Sequence, residues 1–292
     1  MTTPLQQLTN QELRRFETDG YAIVRHLLDD ELHLEPIRRA MGQAVDLQAG
    51  EWLEQGLVSD LCDGEPFEKR YGALRRQFPA TVSNSWRRML VSREIYDVWQ
   101  YPPLICIIRQ LLGDELYASS IWNGRPRAPD QLVQTIDWHQ DAQYMQQYDS
   151  IRDHAISVWL PLVPVDERSG CLQLIPGSHK KGFKPEIRVP RNNLLGLAEE
   201  DLDDAEPVTC VMEPGDALLF TELLHHRSVD NLSDYTRWSL DVRYFDASNE
   251  ELSAKEKERY RGSGYYCHSS SDPRRVESYD AWAASYDYEG EF

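Results

Sequence analysis

Trp138-His-Gln-Asp141 and, further along the chain, His226-Arg-Ser-Val-Asp-Asn-Leu-Ser-Asp-Tyr-Thr-Arg237 are the two stretches on which the reading of this sequence turns. The first lies at the end of a predicted strand, Gln134 to His139, where side chains at i and i+2 point the same way. One imidazole, His139, and one carboxylate, Asp141, then face a common point while Gln140 faces away. Two imidazoles and one carboxylate on one face suit non-haem Fe(II), because they leave coordination positions for an organic acid and O2. Taken alone the triplet is weak, since such a triplet is far more often a surface hydrogen bond than a ligand pair. A second histidine is needed, and His154, His179, His225, His226 and His268 are the candidates. His226 is favoured because its run reads as strand, polar turn and strand, a hairpin that pairs two inward-facing positions. Ser228 shares the His226 face, and Arg237 returns eleven positions later with a guanidinium able to clamp a carboxylate by two parallel hydrogen bonds.

Outward from these stretches the texture is that of a β-sandwich or barrel. Strands are predicted at Leu116 to Trp122, Gln134 to His139, Ala155 to Val163, Cys171 to Ile175, Val208 to Met212, Ala217 to Leu223, His226 to Val229 and Thr236 to Phe245. Pro176-Gly177 and Pro214-Gly215-Asp216 supply turns. The first third reads as helical. Thr9-Asn-Gln-Glu12 has capping-box spacing, with a helix ending near Gly20. Tyr21 to Val24 is a short strand, Asp29 or Asp30 caps a second helix, and Glu51 to Leu112 is mostly helical up to Gly113. After Asn249 a charged helical stretch, Ala254 to Tyr260, precedes a tail carrying Tyr279, Trp282, Tyr286 and Tyr288. Those aromatics read as packing or a homodimer contact ahead of a substrate lid. The expected organisation is one domain over 1-292: a helical wrap over 1-113, a core over about 114-247 and a helical, aromatic tail over 248-292.

Composition excludes several classes. Of 292 residues, 49 are acidic and 31 basic, a formal charge of −18, which opposes binding to a phosphate backbone. No nucleic-acid partner is expected. The start is polar and no apolar run approaches membrane-spanning length, so no membrane partner and a cytoplasmic location are expected. Five scattered cysteines, Cys62, Cys106, Cys171, Cys210 and Cys267, form no CxxC pair and read as reduced and structural. His225 should face away from His226 as a packing or surface residue, and His179 should serve its Pro-Gly-Ser-His turn. Alternation along the last strand puts Arg243 on the face of Arg237, either to touch an anionic substrate or to pair with Asp241.

The ordered set of Trp138-His-Gln-Asp141, Trp159, Gly170-Cys-Leu-Gln-Leu-Ile-Pro-Gly-Ser-His-Lys180, Glu213-Pro-Gly-Asp216 and the His226 to Arg237 run resembles the phytanoyl-CoA dioxygenase family, which includes ectoine hydroxylase. The resemblance spans nearly the whole chain. It implies an all-β core with flanking helices, folded as a double-stranded β-helix (jelly roll, cupin-like). It further implies Fe(II) on His139, Asp141 and His226, with the distal carboxylate of the co-substrate 2-oxoglutarate on Arg237 assisted by Ser228. Trp159 and Asn123 are implied to line the co-substrate pocket. The implied reaction is an O2-dependent oxidation of an unactivated C–H bond of a small molecule, a natural-product or amino-acid-like metabolite, with 2-oxoglutarate converted to succinate and CO2. Halogenating relatives replace the carboxylate ligand with a small residue, so an intact Asp141 implies hydroxylation, desaturation or ring formation. Two other readings stand beside it: a catalytically silent jelly-roll binding protein, and a cupin-type metal enzyme that does not use 2-oxoglutarate.

Overall fold

The structure is a computed structural model that describes residues 6–78, 86–129, 136–145, 155–190, 195–202, 204–248 and 264–286. The predicted Ala254 to Tyr260 helix, Tyr288, the start of the Gln134 to His139 strand and the candidate His154 lie outside the described residues.

The architecture is organised by one strand, β11 (Arg237–Asp246), along which polar and apolar residues alternate. It pairs antiparallel with β4 (Ala155–Pro161) on one edge; on the other it pairs with β3 (Asn123–Arg127) and then with β2 (Glu115–Ala118). Beyond β4 lie β9 (Ala217–Thr221) and β1 (Tyr21–Val24), and β12 (Tyr265–Ser269) closes the far edge beside β2. Because successive side chains face opposite ways, the sheet has two chemically distinct faces. Trp238, Leu240, Val242 and Tyr244 of β11, Ile156, Val158 and Leu160 of β4, and Ala217 and Leu219 of β9 enter one large apolar cluster shared with the helices. Those helices are α1 (Asn10–Asp19), α2 (Glu35–Glu54), α3 (Phe67–Gln77), α4 (Arg93–Trp99) and α5 (Pro102–Leu112).

The expected capping box starts α1: the Thr9 amide donates to Glu12 Oε2 at 2.7 Å and the Glu12 amide donates to Thr9 Oγ1 at 3.2 Å. Gly20 ends the helix in the left-handed region at φ 84°, where a side chain would be strained.

The other face of the large sheet packs on a three-stranded sheet, β10 (His226–Ser228), β5 (Leu172–Leu174) and β8 (Val208–Thr209). Trp159, Leu218 and Phe220 from the large sheet meet Cys171, Leu172, Leu174, Cys210 and Met212 from the small one. A two-stranded ribbon, β6 (Ile187–Arg188) with β7 (Leu195–Gly196), lies outside both layers. This is the jelly roll.

Two local expectations are corrected. His226 to Arg237 is not a hairpin: β10 pairs with β5, so the chain between β10 and β11 crosses from one sheet to the other. Asn231 anchors the crossing, its Nδ2 donating to the Arg127 carbonyl at 2.7 Å and the Tyr235 carbonyl at 2.8 Å, which ties the loop to β3 instead of folding it back on β10. Asn123 to Arg127, expected as loop, is a strand. Gly124 is needed there, since a Cβ would lie 2.4 Å from Leu90 Cδ1 and 2.6 Å from Met41 Cε. With Gly124 and Pro126 paired opposite Leu240 and Trp238 on the helix side, Arg125 and Arg127 take the other side.

The described part of the tail is packing, as ranked from sequence. Helix α6 (Tyr279–Ala284) inserts Trp282, 1% accessible, among Tyr96, Trp99, Trp122, Tyr265 and Tyr286. Tyr286 accepts a 2.6 Å hydrogen bond from Trp122 Nε1. Trp282→Ala removes a fully buried ring, and we expect a loss of about 3–5 kcal/mol in unfolding free energy. Chemical denaturation measures it; a change under about 1 kcal/mol would show that the tail is not part of the core.

Candidate metal centre and active-site cavity

The segment 136–139 runs antiparallel beside β10. The His139 amide donates to the His226 carbonyl at 3.0 Å and the His226 amide returns a bond to the His139 carbonyl at 3.1 Å. That reciprocal pair sets the two imidazoles side by side, with ring centroids 4.0 Å apart and planes tilted by 47°. Asp141 does not continue a strand, as the sequence suggested, but begins a 3-10 turn (Asp141–Met145). The chain bends at Gln140, which is fully buried. Its Nε2 donates to the Gly182 and Leu223 carbonyls at 3.0 and 2.6 Å, while its Oε1 accepts from the Lys184 amide at 2.7 Å. Gln140 therefore faces away, and the Asp141 carboxylate is turned toward the imidazoles.

One donor atom from each of His139, Asp141 and His226 lies within 4.8 Å of the other two, and all three residues are buried. Their hydrogen bonds decide which atoms are free. His139 Nδ1 lies 2.8 Å from the Asp137 carbonyl and His226 Nδ1 lies 2.9 Å from the Leu224 carbonyl. A carbonyl only accepts, so each Nδ1 carries the proton and each Nε2 keeps its lone pair. Burial and the neighbouring His226 push His139 down to about 3, and burial also lowers His226, so both rings are neutral at pH 7.

At Asp141, burial pushes the carboxyl up, but opposing causes led by the charge and hydrogen bonds of Arg243 together hold the group well below the usual range. Oδ2 accepts from Arg243 Nε at 3.0 Å and from Ser157 Oγ, which uses both its lone pairs. Oδ1 accepts from Arg243 Nη2 at 2.8 Å, keeps one lone pair, and lies 3.9 Å from His226 Nε2. Two neutral imidazole Nε2 atoms and one carboxylate Oδ1 make a donor set suited to Fe(II).

A cavity of about 90 Å³ opens beside these atoms, lined by Ile136, Trp159, Leu172 and Phe220, by Ser157 and Ser228, and by Arg125, Arg237, Asp241 and Arg243. Arg237 is 3% accessible and has its guanidinium over the Trp159 ring at 5.6 Å. Its Nη1 donates to Ser239 Oγ at 2.6 Å, while its Nε finds no acceptor among the described residues. Burial, then the nearby Arg127 and Arg125, bring Arg237 down to about 9. It remains a cation at neutral pH and a place where an anion is welcome.

Arg243 takes the ion-pairing alternative. Besides Asp141 it reaches Asp241 Oδ2 at 3.2 Å and the Ile121 carbonyl at 2.9 Å, both from Nη1. Asn123 reaches the cavity only through Asp241, whose Oδ2 accepts from its Nδ2 at 3.1 Å. His225 is fully buried, with its amide donating to Ser178 Oγ at 2.9 Å, and His179 stays in its turn with Nε2 3.3 Å from the Glu17 carbonyl.

Three cavity liners, Ser157, Asp241 and Arg125, and Arg127 behind them were not assigned a site role from sequence. Ser157 was findable, since it is the polar residue two places before Trp159 in an otherwise apolar strand. Asp241 had been noted only as a partner for Arg243. Arg125 and Arg127 were hidden by the Gly and Pro between them, which argue against a strand. Arg127 is 3% accessible, donates from Nη1 to Ser228 Oγ, and so stands directly behind a residue implicated from sequence.

Comparison with known proteins agrees with this architecture. The family model described as phytanoyl-CoA dioxygenase (PhyH) matches residues 16–239. A 1-deoxypentalenic acid 11-beta-hydroxylase of Streptomyces arenae is 28% identical over 166 residues, 52% of this chain and 57% of the relative, so that match spans little more than half of the relative. Phytanoyl-CoA dioxygenase domain-containing protein 1 of Danio rerio is 23% identical over 274 residues, covering 83% and 91%. Among solved structures, the non-heme alpha ketoglutarate dependent carbocyclase SnoK from nogalamycin biosynthesis superposes with TM-score 0.55 at 17% identity, over 85% of this chain and 90% of that one. EctD from S. alaskensis with 2-oxoglutarate and 5-hydroxyectoine superposes with TM-score 0.54 at 19% identity, over 85% and 80%. These likenesses place the fold among the jelly-roll oxygenases, and with more than half of its length matched by the family model the chain belongs to the phytanoyl-CoA dioxygenase family.

Proposed function

We propose that this chain is a non-haem Fe(II)/2-oxoglutarate-dependent dioxygenase that hydroxylates an unactivated C–H bond of a small molecule. The carrying observation is the convergence of His139 Nε2, Asp141 Oδ1 and His226 Nε2 on one point beside a buried, under-bonded guanidinium, that of Arg237. The family's curated relatives are named as hydroxylases and dioxygenases, which supports the same reading.

Iron held by these three residues supplies oxygen activation coupled to oxidative decarboxylation of 2-oxoglutarate to succinate and CO2. The protein's own groups fix the remaining terms. Backbone carbonyls of Asp137 and Leu224 hold the two imidazoles in the ligating tautomer. Arg243 and Ser157 hold Asp141 ionised and occupy both lone pairs of Oδ2, leaving Oδ1 the oxygen that would face a metal. Arg237, with Ser228 beside it and Trp159 beneath, receives the distal carboxylate of the co-substrate through a planar two-point contact. The Asp141 carboxylate occupies the position a halide would need, so hydroxylation is favoured over halogenation. Among the described residues no helix is long and apolar enough to cross a membrane, and all five cysteines are free thiols; we read the enzyme as working in a reducing, cytoplasmic compartment.

Succinate formed in proportion to 2-oxoglutarate consumed, in an iron-dependent reaction, tests the whole reading; metal binding without succinate would favour a cupin-type enzyme or a silent binding protein. Two substitutions test its parts. Arg237→Lys replaces a planar fork with a point charge, and we expect the KM for 2-oxoglutarate to rise about tenfold or more with iron content near wild type; an unchanged KM would remove Arg237 from the role. His226→Ala should abolish iron binding in folded protein, whereas His225→Ala should retain it while lowering thermal stability, because neighbouring strand residues face opposite ways. Equal loss of iron in both, with native circular dichroism, would overturn the assignment of His226.

A further inference from the structure

The cavity carries more positive charge than iron and 2-oxoglutarate require, and the surplus bears on the substrate. Among the described residues its charged liners are Arg125, Arg237 and Arg243 against Asp141 and Asp241. The three guanidiniums and two carboxylates leave the protein with one net positive charge, the neutral imidazoles adding none. Fe(II) brings two positive charges and 2-oxoglutarate two negative ones, so the loaded cavity keeps that single excess. Buried charge is normally paired. Arg127 stands behind Ser228, outside the lining, with Asp230 the largest charge acting on it. Glu186 is half-buried and lies outside the cavity lining.

The three arginines differ in what they have left to offer. Arg243 is saturated by Asp141, Asp241 and the Ile121 carbonyl. Arg237 is committed to the co-substrate. Arg125 alone spends only one nitrogen, Nε, on Asp241 Oδ1 at 2.8 Å, and neither Nη takes a protein acceptor among the described residues. Its side chain is 41% accessible while Asp241 is 9% accessible, so the guanidinium stands at the rim of the cavity it lines. Asp241, held in turn by Asn123 and Arg243, fixes the orientation of that guanidinium. Two parallel N–H groups in this arrangement match the two oxygens of a carboxylate. The adjoining walls, Ile136, Trp159, Leu172 and Phe220, are apolar.

We propose that the substrate oxidised here is a monocarboxylate with an apolar body, and that its carboxylate docks on the Nη edge of Arg125 while the body lies toward the iron. This rests on the oxygenase reading above, since 2-oxoglutarate must occupy Arg237 for the count to leave one charge. A neutral or cationic substrate would leave the Nη edge of Arg125 facing it without an acceptor, its Nε alone being held by Asp241.

The test is anaerobic calorimetric titration of the full chain loaded with Fe(II) and 2-oxoglutarate. The probes are straight-chain, alicyclic and aromatic monocarboxylates, including decanoate, adamantane-1-carboxylate and cyclohexanecarboxylate, each beside its methyl ester. At least one acid should bind about tenfold or more tightly than its ester, the fold-change of one charge-assisted, hydrogen-bonded pair. Arg125→Gln should bring that ratio to near unity, and Arg125→Lys should restore part of it; Asp241 keeps Arg243 and Asn123 in either variant, so the cavity wall retains its bonds. The absorption band of the iron–2-oxoglutarate chelate, recorded before each titration, separates the two readings. No band in wild type overturns the oxygenase reading and this proposal together. A normal band with no acid bound, with acids and esters bound alike, or with an acid preference that survives Arg125→Gln, overturns the substrate assignment alone.

Discussion

The Asp141 carboxylate is 1% accessible and ionised, and a charge so deeply desolvated must be held by the protein itself. Arg243 meets it with two nitrogens and Ser157 with a hydroxyl. Arg243 is equally buried, so it requires Asp241, and Asp241 requires Arg125 and Asn123. The chain of satisfied charges runs from the metal ligands to the cavity mouth through β4, β11 and β3. Removing one member of such a buried pair costs about 3–5 kcal/mol, because the other charge is left behind. That coupling lets a short segment, 136–141, hold two ligands without belonging to a long strand: its backbone is tied to β10 by three hydrogen bonds and its carboxylate is tied to the large sheet by three.

The location of the site follows from the period of the strands. Odd-numbered residues of β11 and β4 face the small sheet and even-numbered ones face the helices, so a single register places Arg237, Ser239, Asp241, Arg243, Ser157 and Trp159 on one side. The helical layer makes this possible. By burying Trp238, Leu240, Val242 and Tyr244 from behind, it supplies the apolar core that stability needs and leaves the other face free to carry charge. Gly124 is the clearest instance: without a side chain it lets Met41 and Leu90 close on β3 from the helix side, which sets Arg125 and Arg127 toward the cavity.

What the sequence made legible is what the two-residue period and donor chemistry dictate together. His139, Asp141 and His226 converge, Trp159, Ser228 and Arg237 line one cavity, and most of the predicted strands lie within a few residues of their observed positions. The crossing between β10 and β11 was not legible, because strand, polar turn and strand is the same pattern whether the chain folds back on itself or passes between layers. The pairing of β10 with β5 and the Asn231 bond to β3 distinguish the two, and both are long-range in sequence. Strand β3 was hidden for another reason. Asn-Gly-Arg-Pro-Arg carries two residues that disfavour strands, and tertiary demand, close helix approach at Gly124 and an inward pair of arginines, overrides propensity there. β12 was missed because Tyr265 to Ser269 sits in a tail whose aromatic spacing has no clean period.

The contrast between chain and cavity has its own consequence. A formal charge of −18 repels anions at long range, whereas the cavity holds one positive charge in excess among its liners. Long-range attraction therefore does not gather anionic ligands here; they are retained by short, directional contacts once they arrive. Screening over roughly 10 Å at 0.1 M salt softens the repulsion from the surface and leaves the buried network almost untouched. Recognition then depends on geometry more than on net charge, which favours a planar carboxylate over a diffuse anion at both arginine positions. It also accounts for the choice of arginine over lysine at Arg125, Arg127, Arg237 and Arg243, since a guanidinium is less strongly hydrated, presents a fixed fork, and keeps its proton where burial lowers Arg237 to about 9.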